Sequence, residues 1–158
     1  MKSISLNISL LALVTIGFLS CSKDKDAANQ ITDSVGLNIK TNWSLTDGSD
    51  AIASADLDVI VYRGTGAAKE TTPVVEGSTG DSFEDEDFIG TLADGDYTVE
   101  IYYFEVLKPG KFNLIFKAKT SDKSYTFSDN SFTTSDDGMH VDFVKLSKSG
   151  TKYTVSKF

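Results

Sequence analysis

Tyr97-Thr98-Val99-Glu100-Ile101-Tyr102-Tyr103 and, beyond the break Lys108-Pro109-Gly110-Lys111, Phe112-Asn113-Leu114-Ile115-Phe116-Lys117-Ala118 decide the fold class. In each half, apolar or aromatic residues fall on alternate positions. Strand side chains alternate between faces, so Tyr97, Val99, Ile101 and Tyr103 share one face of a strand. Phe112, Leu114, Phe116 and Ala118 share one face of the next. A hairpin closed at Pro109-Gly110 opposes Leu107 with Phe112, Tyr103 with Phe116 and Ile101 with Ala118, all inward. Outward, it sets Glu100 against Lys119 and Tyr102 against Lys117. A slip of one residue would turn charges into the core, so the pattern predicts this register.

The same period of two extends in both directions. Upstream, Val35, Leu37, Ile39, Thr41 and Trp43 alternate with polar residues, and Leu57 to Arg63 forms a second strand rich in β-branched residues. Val74 and Val75 read as a short edge strand, because Pro73 lacks a ladder donor. Gly77 to Asp87 reads as an acidic loop, followed by Phe88 to Leu92 and the turn Ala93-Asp94-Gly95-Asp96. Downstream come a strand at Ser124 to Phe127 and a turn at Asp136-Asp137-Gly138. A last hairpin, Met139 to Leu146 with Lys152 to Ser156, closes around Ser149-Gly150. About eight or nine short strands, with no stretch of helical period, predict an all-β antiparallel sandwich over residues 34–158.

Two stretches carry a family likeness. Leu92-Ala93-Asp94-Gly95-Asp96-Tyr97 resembles the tyrosine-corner turn of immunoglobulin-like sandwiches. Trp43 followed by Ala55-Asp56-Leu57-Asp58-Val59-Ile60-Val61 is similar to bacterial pre-peptidase C-terminal domains, which are jelly-roll-like. The second resemblance implies an appended binding module, some of whose relatives bind calcium.

The N-terminus has a different grammar. Met1-Lys2 is followed by an uncharged, largely apolar run from Ile4 to Leu19. That is short of the roughly 20 residues of a membrane-spanning helix and matches the apolar region of a signal peptide, residues 1–20. Phe18-Leu19-Ser20-Cys21 resembles the lipobox of bacterial lipoproteins, which implies cleavage before Cys21 and lipidation of its thiol. Ser22, Lys23, Asp24, Lys25 and Asp26 resemble the export signal of Bacteroidetes-type lipoproteins. That implies an outer-membrane protein facing the cell exterior, with the periplasmic face as the alternative. Residues 21–33 read as the lipidated cysteine and a flexible polar tether. Each buried lipid CH₂ contributes about 0.8 kcal/mol, so several acyl chains on one cysteine anchor a protein without a spanning helix.

Charge narrows the function classes. The chain has 158 residues and a formal net charge of −8; beyond residue 20 there are 14 basic against 23 acidic side chains, a net −9. Such a surface repels phosphate backbones, which argues against nucleic acid. Cys21 is the only cysteine and His140 the only histidine, so neither a disulfide nor a zinc centre of His and Cys ligands is expected. No Gly-x-Ser-x-Gly elbow accompanies His140, and no catalytic residue is assigned. Asp81-Ser82-Phe83-Glu84-Asp85-Glu86-Asp87 is the densest charge cluster. It reads as a solvated loop; if a Ca²⁺ site exists, Asp81, Glu84, Asp85 and Asp87 are its candidate ligands, since hard cations take several carboxylates. No other cofactor is expected. Tyr102 and Phe104 turn outward, beside Ile115 and Lys117 in the hairpin register, and are the candidate ligand-binding pair. The expected function is a non-catalytic, lipid-anchored module that binds or scaffolds a polysaccharide, peptide or protein partner. The alternatives are a small carboxylate- or cation-dependent hydrolase and a purely structural envelope subunit.

Overall fold

The structure is a computed structural model in which residues 27–77 and 83–158 are described, with backbone alone at Phe83, Glu84, Asp85 and Ile89. The signal segment, Cys21, the export residues Ser22 to Asp26 and Asp81 lie outside the described residues.

Ten strands follow in order: β1 (Gln30–Thr32), β2 (Gly36–Leu45), β3 (Ala55–Arg63), β4 (Pro73–Gly77), β5 (Phe83–Ile89), β6 (Gly95–Val106), β7 (Gly110–Ala118), β8 (Ser124–Phe132), β9 (His140–Ser149) and β10 (Lys152–Lys157). They form two antiparallel sheets, one ordered β1-β10-β9-β6-β3-β4 and the other β5-β2-β7-β8. The fold is therefore the expected all-β sandwich.

The alternating residues make its core. Leu37, Ile39 and Trp43 of β2, Leu57, Val59 and Val61 of β3, Val99 and Ile101 of β6, and Leu114 and Phe116 of β7 are all buried between the sheets. Phe88 meets Tyr97 edge-on at 4.9 Å and Tyr153 at 6.0 Å, the arrangement that ring quadrupoles favour. Trp43 Nε1 donates to the Ala55 carbonyl, 3.1 Å away, so the indole of one sheet is bonded to the backbone of the other. Tyr97 donates its hydroxyl to the Ala93 carbonyl four residues earlier, which pins the turn into β6. The last hairpin forms as expected, β9 and β10 pairing around Gly150-Thr151.

The central hairpin does not form. β6 pairs with β3 and β9, whereas β7 pairs with β2 and β8, so Tyr97–Val106 and Phe112–Ala118 lie in opposite sheets. Phe116 pairs with Ile39 and Ala118 with Leu37, not with Tyr103 and Ile101. Leu107, in the crossover, is 59% exposed. Leu107, expected inward, is thus corrected; the other inward residues of the two strands are buried as read, because a strand's apolar face looks the same whether its partner lies beside it or across the core.

Two loops also contain strands. Gln30–Thr32, expected in the tether, pairs with Thr154–Lys152, and Ile31 is fully buried. A strand this short is too brief for its period to stand out. Phe83–Asp87, expected in a loop, pairs with β2 from Asn42 to Asn38. Its acidic composition masked a register that β2 supplies from outside.

Asp33 fastens the start of the sandwich. Its Oδ1 accepts from the Val35 and Gly36 amides, at 2.8 and 3.0 Å, and its Oδ2 from the Thr120 amide and hydroxyl, both at 2.6 Å. Burial opposes its charge, but these hydrogen bonds outweigh burial and hold the carboxyl down to about 2.

Candidate functional site

The outer face of the six-stranded sheet gathers the chemistry. On β3 the residues opposite to the core set are Asp58, Ile60 and Tyr62; on β6 they are Thr98, Glu100 and Tyr102. Strand β9 adds His140 opposite Tyr102 and Asp142 opposite Glu100. A bulge makes this register. The ladder shifts between Val99 and Glu100, so Phe143 has no partner on β6 and both Phe143 and Val144 pack toward the core.

Glu100 and Asp142 are thus like charges set directly opposite each other, an unfavourable pairing by itself. Lys69 resolves it. Its Nζ bonds both Glu100 Oε2 and Asp142 Oδ1, and lies 4.4 Å from the Tyr62 ring centroid. Lys69 comes from the loop after β3, which contains a 3₁₀ turn at Gly66–Ala68 and folds back over the sheet. Thr98 Oγ1 donates to the Gly64 carbonyl at 2.8 Å, and the Glu70 amide to the Arg63 carbonyl at 2.8 Å. Gly64 has φ +83°, and a Cβ there would lie 2.0 Å from the Ala68 carbonyl oxygen, so only glycine permits this fold-back.

The second Glu100 oxygen, Oε1, lies 2.6 Å from His140 Nδ1. The Glu100 side chain is only 5% exposed, and both its oxygens are engaged. A carboxylate accepts, so a neutral His140 carries its proton on Nδ1 and leaves Nε2 as an acceptor. The imidazole stacks on Tyr102 at 3.9 Å between ring centres and 6° between planes, and Phe104 meets Tyr102 edge-on at 5.8 Å. Phe104 is 58% exposed and the His140 side chain 51%. A buried carboxylate, Glu100, therefore holds the His140 edge of an aromatic shelf that faces solvent.

Burial disfavours the Lys69 charge, but the hydrogen bonds to Asp142 and Glu100 outweigh it and hold the ammonium above its ordinary range. Burial, and then the Glu100 charge, push the Tyr62 hydroxyl up.

Tyr102 and Phe104 thus lie together and outward, as read from the sequence, but beside His140 and Asp58 rather than Ile115 and Lys117. Glu100, Lys69 and Asp142 were missed as a group. Glu100 was visible as a lone charge amid an apolar strand; Lys69 carried no signal, because only the loop's return brings it to the sheet. The acidic candidates fall elsewhere. Glu84, Asp85 and Asp87 sit on β5, at the positions paired with Thr41, Lys40 and Asn38, and Asp87 accepts from Lys119 at 2.5 Å. Among the described residues, no three of His, Cys, Asp and Glu are arranged to hold a metal ion. Nor is a serine hydroxyl bonded to His140 among the described residues.

Comparison with family models, with curated proteins and with solved structures finds no match to this chain.

Proposed function

We propose that the protein is a lipid-anchored envelope protein whose sandwich is a non-catalytic binding module, with the shelf of Tyr102, His140 and Phe104 as its contact surface. The observation that carries this reading is the shelf itself. Two aromatic rings, Phe104 and the His140 imidazole, are left more than half exposed, while the carboxylate that holds His140, Glu100, is buried and bonded to Lys69 as well. Solvent-facing aromatics add little to a fold, whereas a rigid base lowers the cost of ordering a contact surface on binding. The anchor rests on the likeness of Phe18 to Asp26 to a lipobox and export signal. Attachment at Cys21 would hold the module near the membrane by a short segment.

Expression of the full chain in a bacterium with labelled palmitate tests the anchor. The wild type is expected to take up label and sediment with membranes, and Cys21→Ser to do neither. Equal labelling of the two would overturn the anchor.

A further inference from the structure

We propose that this shelf takes a neutral glycan, its sugar rings stacked on Phe104 and His140; the proposal rests on the binding reading above. The polar groups around the rings are of mixed kind. Glu100 is fully used by Lys69 and His140. Beyond the bonds within the group there remain Nε2 of His140, the Tyr102 hydroxyl and the second oxygen of Asp142. A sugar hydroxyl both donates and accepts, so it can satisfy each of these in turn, while the apolar C–H face of the ring covers an aromatic ring.

Other ligand chemistries fit less well. Two carboxylates against one lysine leave the group negative when His140 is neutral, which disfavours phosphate or sulfate. An extended peptide commonly binds by adding a strand, but β6 is hydrogen-bonded on both sides, by β3 and by β9. An apolar side chain needs a pocket, and the described surface holds no cavity there. An open, wall-less face instead admits internal residues of a long polymer. This selects a polysaccharide over a free monosaccharide.

The test uses the purified full chain against two panels, neutral soluble polysaccharides with their oligosaccharides, and extended peptides. Binding is read by affinity electrophoresis and by chemical shifts. At least one neutral glycan is expected to bind. Phe104→Ala and His140→Ala should each weaken it at least tenfold, and Ile52→Ser, at an exposed apolar residue outside the shelf, should leave it unchanged. Thermal unfolding of each variant checks that the fold is retained. Glycan binding that survives Phe104→Ala and His140→Ala overturns the proposal. Peptide binding that Phe104→Ala abolishes, with no glycan bound, overturns the glycan class and leaves the binding reading standing. Binding of neither panel overturns both.

Discussion

Two pairs of opposed acids on neighbouring strands meet different fates. Glu100 faces Asp142 across β6 and β9, and Asp56 faces Glu105 across β3 and β6. The first pair is bridged by Lys69, and Glu100 is buried with both oxygens bonded. Among the described residues the second pair has no such bridge. Asp56 Oδ1 is buried without a hydrogen-bond partner, and burial, then the Glu105 charge, hold its carboxyl above the ordinary range. The same local conflict is removed by a distant cation in one place and tolerated in the other. Glu100, the most buried of the four acids, is the one given a bridging cation, since an uncompensated buried charge is the costlier case. The loop that supplies Lys69 is therefore part of the shelf's foundation, and the chain devotes a glycine with positive φ to folding it back.

Removing the bridge should have the largest effect. Lys69→Met turns the first pair into a worse version of the second, because Glu100 is the more buried acid. A loss of about 3 kcal/mol is expected, read as a lower urea midpoint at unchanged slope. A loss under about 0.5 kcal/mol would show that the bridge is a surface pair of ordinary worth.

A pH series separates the bridge from the fastening at Asp33. Lys69 is raised in the folded state, so its stabilisation is complete below the ordinary lysine value of about 10.4 and is lost as pH rises through the raised value. Asp33 is depressed to about 2, so its stabilisation is complete above the ordinary aspartate value of about 3.9 and is lost as pH falls toward about 2. Lys69→Met should flatten the alkaline arm of stability against pH, and Asp33→Asn the acid arm. If either variant flattens the other's arm, the assignment fails.

The smallest effect is expected at the unbridged pair. Asp56→Asn removes a like-charge opposition and should stabilise the fold by about 0.5 kcal/mol near neutral pH. Because the Asp56 carboxyl is raised, its penalty is absent below the ordinary aspartate value of about 3.9, grows as pH rises toward the raised value and is complete above it, so the gain should vanish in acid. A destabilised variant at neutral pH would mean that the Asp56 charge is compensated.

What could be read in advance follows the same division. The inward positions of β2, β3, β6 and β7 were legible because alternation is written residue by residue. Tyr102 was legible as outward for the same reason. The partners of those strands were not legible, since Tyr97–Tyr103 and Phe112–Ala118 satisfy the pattern equally as a hairpin or as opposite walls of a sandwich. β1 was too short, and β5 too acidic, for their apolar periods to stand out.

The sequence by itself determined the all-β class, the two-faced strands and the closing hairpin at Gly150, because these depend on neighbours within a few residues. Only the tertiary structure decided which sheet each strand joins and that Lys69, Glu100, Tyr102, His140 and Asp142 converge. The physical reason is range. Alternation is a local property of the backbone, whereas pairing and charge compensation depend on residues far apart in sequence, whose proximity no short stretch encodes.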